Sequence, residues 1–126
     1  MKKRFLAVLI SAILAIPVLA AAQAAFKMVS GQFASSGDTG SGIVAEVMVS
    51  TATRVPWVTI RAKAGNSATV HIGDSGITGS TGHELSAKDS ITFGGREKEE
   101  VPIDLNKIYV RASTGDGVTF LYPVAQ

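Results

Sequence analysis

The segment Leu105-Asn106-Lys107-Ile108-Tyr109-Val110-Arg111-Ala112, Ser113-Thr114-Gly115-Asp116-Gly117, Val118-Thr119-Phe120-Leu121-Tyr122 constrains the fold more than any other part of the chain. Two alternating runs rich in β-branched and aromatic residues flank a cluster of turn formers, the pattern of two strands joined by a short loop. It predicts a β-hairpin. Ile108, Val110 and Ala112 are expected to face the core with Val118, Phe120 and Tyr122. Tyr109, Arg111, Thr119 and Leu121 take the other face, where Tyr109 and Leu121 would form a modest exposed apolar patch.

The same grammar recurs upstream. Ile43 to Val49 alternates as a half-buried strand, and Val58 to Ala64 alternates more cleanly, with Val58, Ile60, Ala62 and Ala64 opposed to Thr59, Arg61 and Lys63. Gly65-Asn66-Ser67 then signals a turn, so Ala68 to Gly73 is expected to return as the antiparallel partner of that strand. Ser90-Ile91-Thr92-Phe93 alternates before Gly94-Gly95, and Val101 to Leu105 reads as an edge or connecting strand. Phe26 to Phe33 is a weak first strand, interrupted by Ser30-Gly31. The stretches 34–42 and 74–82 read as polar loops, and Arg96-Glu97-Lys98-Glu99-Glu100 as a solvated connection. No helical apolar period appears after residue 24. These strands predict an all-β fold, a single small β-sandwich or jelly-roll-like double sheet of about seven to eight antiparallel strands spanning residues 25–126.

Residues 1–24 have a different character. A basic Met1-Lys2-Lys3-Arg4, an apolar run from Phe5 to Ile16, Pro17 and an alanine-rich tract form the layout of a secretory signal peptide, with cleavage expected after Ala22 or Ala24. The alternative is a retained membrane anchor. Removing the leader takes three of the 12 basic residues and leaves nine against 10 acidic ones, so the basic balance belongs to the leader and gives no support to nucleic-acid binding. The mature chain is expected to be exported, to the periplasm, the medium or a virion, without membrane attachment. With no cysteine, it has neither a disulfide framework nor a thiol nucleophile.

Candidate chemistry is sparse. Gly73-Asp74-Ser75-Gly76 matches the nucleophile motif of trypsin-like proteases over four residues only, and a strand-ending turn explains it better. His71, His83, Asp74 and Glu84 contain metal-ligating types, but adjacent strand residues point to opposite faces, so two independent exposed histidines are expected. The Gly-Asp pairs at 37–38, 73–74 and 115–116 lack the ligand spacing of a calcium loop and read as turns. No catalytic residue, cofactor or metal is therefore assigned. Trp57, Tyr109 and Tyr122 are candidate aromatics for a sugar or protein partner. Arg61, Lys63 and Arg111 could supply a cationic patch. The partner-binding candidates are Trp57, Arg61, Lys63, Tyr109, Arg111 and Leu121.

From about Pro56 to Val124 the chain resembles small virion structural proteins of tailed bacteriophages, of the decoration or head-fibre-like kind. The resemblance is carried in order by Val58-Thr59-Ile60-Arg61-Ala62, Val70-His71-Ile72-Gly73-Asp74-Ser75, His83-Glu84-Leu85 with Ser90-Ile91-Thr92-Phe93, Leu105 to Val110, and Gly115 to Tyr122. It implies a non-enzymatic protein repeated on a larger assembly. The leader departs from that pattern and keeps an exported relative in view. The expectation is a structural or assembly module that docks on a virion, filament or cell-surface lattice, as a homo-oligomer or on a lattice protein. The alternative is a secreted or periplasmic ligand-binding module of the carbohydrate-binding kind.

Overall fold

The computed structural model describes residues 25–36, 43–95 and 101–126. The expected leader at 1–24, residues 37–42 of the 34–42 loop and the 96–100 charge run lie outside the described residues. Among the described residues ten strands follow one another: β1 (Phe26–Ala34), β2 (Ala45–Val47), β3 (Arg54–Val55), β4 (Trp57–Ala62), β5 (Val70–Gly73), β6 (His83–Leu85), β7 (Ser90–Gly94), β8 (Ile103–Asp104), β9 (Tyr109–Arg111) and β10 (Gly117–Ala125). A single 3-10 turn, Leu105–Lys107, is the only helical element among the described residues.

The pairing follows one rule. β1 pairs with β10, β2 with β9, β3 with β8, β4 with β7 and β5 with β6, all antiparallel. The chain is thus a long two-stranded ribbon folded at the β5–β6 turn. Two further ladders, β10 with β4 and β9 with β5, roll this ribbon onto itself. The result is two four-stranded sheets, β1-β10-β4-β7 and β2-β9-β5-β6, and a small β3-β8 ribbon. This nested order is that of a jelly roll, a double sheet that manages its edges by rolling.

Alternation supplies the core. Val58, Ile60, Ala62, Val118 and Phe120 from the first sheet meet Val70, Ile72, Leu85, Val110 and Ala112 from the second, with Val55, Leu105, Met48 and Ile108 in the same cluster. Each fully buried aliphatic side chain contributes about 1.5–3 kcal/mol relative to exposure. Tyr122 packs half-buried on this cluster and stacks on Phe120 at 6.1 Å between ring centroids. The inward faces expected for the 108–112 and 118–122 runs are those observed.

Their pairing is not. β9 and β10 lie in different sheets, so the expected C-terminal hairpin does not form; residues 112–116 cross from one sheet to the other. Nor is β5 the partner of β4, because residues 63–69 make a second crossing. Alternation defines which face a residue takes, whereas the choice of partner depends on long-range burial that turn signals do not encode. The weak first strand is in fact nine residues long and pairs with β10 along its length.

The crossings are tied together. Asn66 Nδ2 donates to the Gly117 carbonyl and Gly117 N donates to Asn66 Oδ1, both at 2.9 Å. The Asp116 carboxylate, 5% exposed, accepts from Ser67 N at 2.8 Å, Ser67 Oγ at 3.1 Å and Ala68 N at 2.9 Å. Ser35 N donates to the Asp116 carbonyl at 2.9 Å, bringing the start of the β1–β2 connection to the same end. Main-chain groups that leave a ladder at a sheet crossing must find other partners, and here Asp116 and Asn66 supply them. These donors hold the Asp116 carboxyl below its ordinary value, chiefly the Ser67 N–H and then the Ala68 N–H and Ser67 hydroxyl, against the opposing effect of burial.

Candidate functional site on the outer face of the first sheet

Odd and even residues separate by face in β4, β7 and residues 118–121 of β10, and less cleanly in β1, where Lys27 is exposed at an inward position. Inward positions fill the core, so the outward ones define the available surface. Ser30, Leu121, Thr59 and Thr92 form one cross-strand row, and Gln32, Thr119, Arg61 and Ser90 the next. Towards the other end stand Met28 opposite Pro123, and Trp57, two residues before Thr59 on β4. Phe26 opposite Ala125 completes the corner.

This face is divided in character. Phe26 is 60% exposed, Met28 45% and Leu121 40%, with half-buried Trp57 on the same side. An antiparallel sheet with one solvated face ordinarily carries polar residues there. Beyond this apolar corner the hydroxyls of Thr59 and Thr92 bond to each other at 2.8 Å. Two shallow depressions of about 450 and 360 Å³ share Thr59; Ser30, Gln32, Thr119 and Leu121 help to line one, Trp57, Thr92 and Gly94 the other. Arg61 closes the polar end, its Nε donating to the Lys88 carbonyl at 3.2 Å.

Of the six partner-binding candidates, the structure gathers Trp57, Arg61 and Leu121 on this face. Lys63 lies past the end of β4, in the crossing, where its N–H bonds the Gly117 carbonyl at 3.0 Å. Tyr109 and Arg111 belong to β9 in the second sheet. The expected pairing of Tyr109 with Leu121 in one patch therefore fails, as does a cationic patch joining Arg111 to Arg61. The first assumed the hairpin; the second assumed that the wet faces carrying Arg61 and Arg111 would adjoin, whereas β4 and β9 lie in different sheets. The three aromatics considered for sugar stacking are dispersed as well: Trp57 is on this face, Tyr109 on the other sheet and Tyr122 against the core. Phe26 and Met28 were missed, since the strand that carries them alternates poorly.

The outer face of the second sheet is built differently. His71 sits between Arg111 on β9 and Glu84 on β6. Arg111 Nε donates to the Ile43 carbonyl at 3.2 Å, and Ile77 of the 74–82 loop is buried against Gly73 on the same side. His71 is only 8% exposed, contrary to the expectation of two exposed histidines; His83 is exposed. The Gly73-Asp74-Ser75-Gly76 motif is a turn, as expected, with Asp74 Oδ1 accepting from Gly76 N at 2.8 Å. Among the described residues no group of three or more histidine, aspartate or glutamate side chains is placed to hold a metal. Comparison with protein-family models, curated proteins and solved structures finds no match to this chain.

Proposed function

We propose that this protein is a non-enzymatic assembly module that docks on a repeated surface, a virion, filament or cell-surface lattice, through the outer face of its β1-β10-β4-β7 sheet. One observation carries the reading: Phe26, Met28 and Leu121, with Trp57 beside them, stand exposed on a sheet face that solvent alone would leave polar. Large apolar side chains grouped with an aromatic anchor and rimmed by hydroxyls and an arginine match the anatomy of a protein-docking patch. The resemblance to phage virion proteins points in the same direction and is the reason for naming a lattice as the partner.

Co-sedimentation tests this reading. The protein is mixed with virus particles and with envelope fractions from its source, and Leu121→Asp and Met28→Asp variants are compared with the unaltered chain. Binding that both substitutions abolish while the fold persists supports the proposal. Absence of binding to either preparation, or binding indifferent to both substitutions, overturns it.

A further inference from the structure

We propose that the outer edge of β1, which no other strand among the described residues pairs, joins antiparallel to β1 of a second copy, making one sheet of eight strands from two of four. The inference concerns the strand edge and goes beyond the docking face, since it holds whatever that face binds. Its basis is backbone arithmetic. Hydrogen-bonding residues alternate along an antiparallel ladder. Gln126 N donates to the Ala25 carbonyl and Ser35 N to the Asp116 carbonyl, so the odd residues of β1 turn their main-chain groups towards β10. Phe26, Met28, Ser30, Gln32 and Ala34 consequently turn theirs outward, each with one donor and one acceptor.

This edge carries little protection. It is nine residues long, contains no proline and bears a single charge, Lys27. Edge strands that stay single are usually short, bulged, proline-bearing or charged. At the sheet's other edge, β7 has five residues and ends at Gly94 with φ +78°.

A second copy fits because the strand is complementary to itself. With a two-fold axis at Ser30, Phe26 falls beside Ala34 of the other copy, Met28 beside Gln32, and Ser30 beside its equivalent. Every outward donor and acceptor in β1 then meets a partner. Lys27 falls opposite Phe33, so no like charges are apposed. Even residues pair with even residues, and the outer faces of the two copies become continuous, placing the two apolar corners on one surface. Such an isologous contact closes as a dimer.

Cysteine is absent from the chain, so Ser30→Cys introduces a unique thiol. In a hydrogen-bonded antiparallel pair the two Cα atoms are about 5.5 Å apart, within disulfide reach. The protein from cells expressing the full chain is measured by light scattering across a dilution series, and the Ser30→Cys and Ser90→Cys variants are oxidised. The proposal expects a dimer, a disulfide-linked dimer from Ser30→Cys and none from Ser90→Cys. Ser30→Pro, which removes only an outward N–H from β1, should return a monomer with unchanged circular dichroism, whereas Leu121→Asp should leave the dimer intact. A monomer throughout the series, a dimer whose Ser30→Cys form does not cross-link, or open-ended growth through β7 would overturn it.

Discussion

Replacing Asp116 by alanine removes an acceptor that serves three donors from the neighbouring crossing: Ser67 N, Ser67 Oγ and Ala68 N. Hydrogen bonds to a charged group contribute about 1.5–3 kcal/mol each, and contributions sharing one carboxylate do not add. The two backbone N–H groups are left without this partner, though water can reach the exposed Ser67 and Ala68. A loss of about 3 kcal/mol is therefore expected, or about 15 °C in Tm for a domain of this size. Urea unfolding followed by the fluorescence of Trp57, the single tryptophan, measures it. The pH dependence has a fixed sign. Folding lowers the Asp116 pKa below 3.8, so its contribution is complete above that value and disappears as pH falls through the folded-state pKa. The stability gap between the unaltered protein and Asp116→Asn should accordingly be flat at neutral pH and narrow below about 3.8. A loss under about 0.5 kcal/mol for Asp116→Ala, the scale of an ordinary surface change, would refute the view that this carboxylate ties the crossings. So would a gap that widens in acid.

Phe120→Ala should cost about 3–5 kcal/mol, because the ring is buried between the sheets and stacked on Tyr122; denaturant midpoints would show it. At Gly94 the backbone has φ +78° and a Cβ would run into the Pro56 carbonyl, so Gly94→Ala should destabilise by more than about 1–2 kcal/mol, readable as a fall in Tm. By contrast, Leu121→Ser should change unfolding free energy by less than about 0.5 kcal/mol, since the side chain serves the surface and not the core.

The faces of this fold were legible in the sequence and its partnerships were not. Val58, Ile60 and Ala62, or Val118 and Phe120, announce their inward direction by alternation, because a period of two can bury one face only. The expected hairpins failed at Gly65-Asn66-Ser67 and Ser113 to Gly117 for a common reason. Turn-forming residues serve equally well in a tight reversal and in a crossing between sheets, and only the capture of Asn66 by Gly117 and of Ser67 by Asp116 distinguishes the two. β1 read weakly because it is an edge: among the described residues one flank is unpaired, and the Phe120 ring covers Gly31 in place of a side chain from β1. The outer face proposed for docking was hidden for the same reason. Leu121 was visible as an apolar residue on a wet face, but its neighbours are Ser30 and Thr59 from strands distant in sequence, and the apolar corner beyond them depends on Met28 and Phe26. Burial of His71 on an outward-facing position depends on tertiary surroundings that a two-residue alternation could not express.

The proposed docking face is tested by hydroxyl-radical footprinting of the protein, free and bound to particles or envelope fractions from its source. Phe26, Met28, Trp57 and Leu121 should lose reactivity on binding while Tyr109, on the second sheet, keeps its own. Protection centred on Tyr109, with Leu121 and Trp57 unchanged, would contradict it.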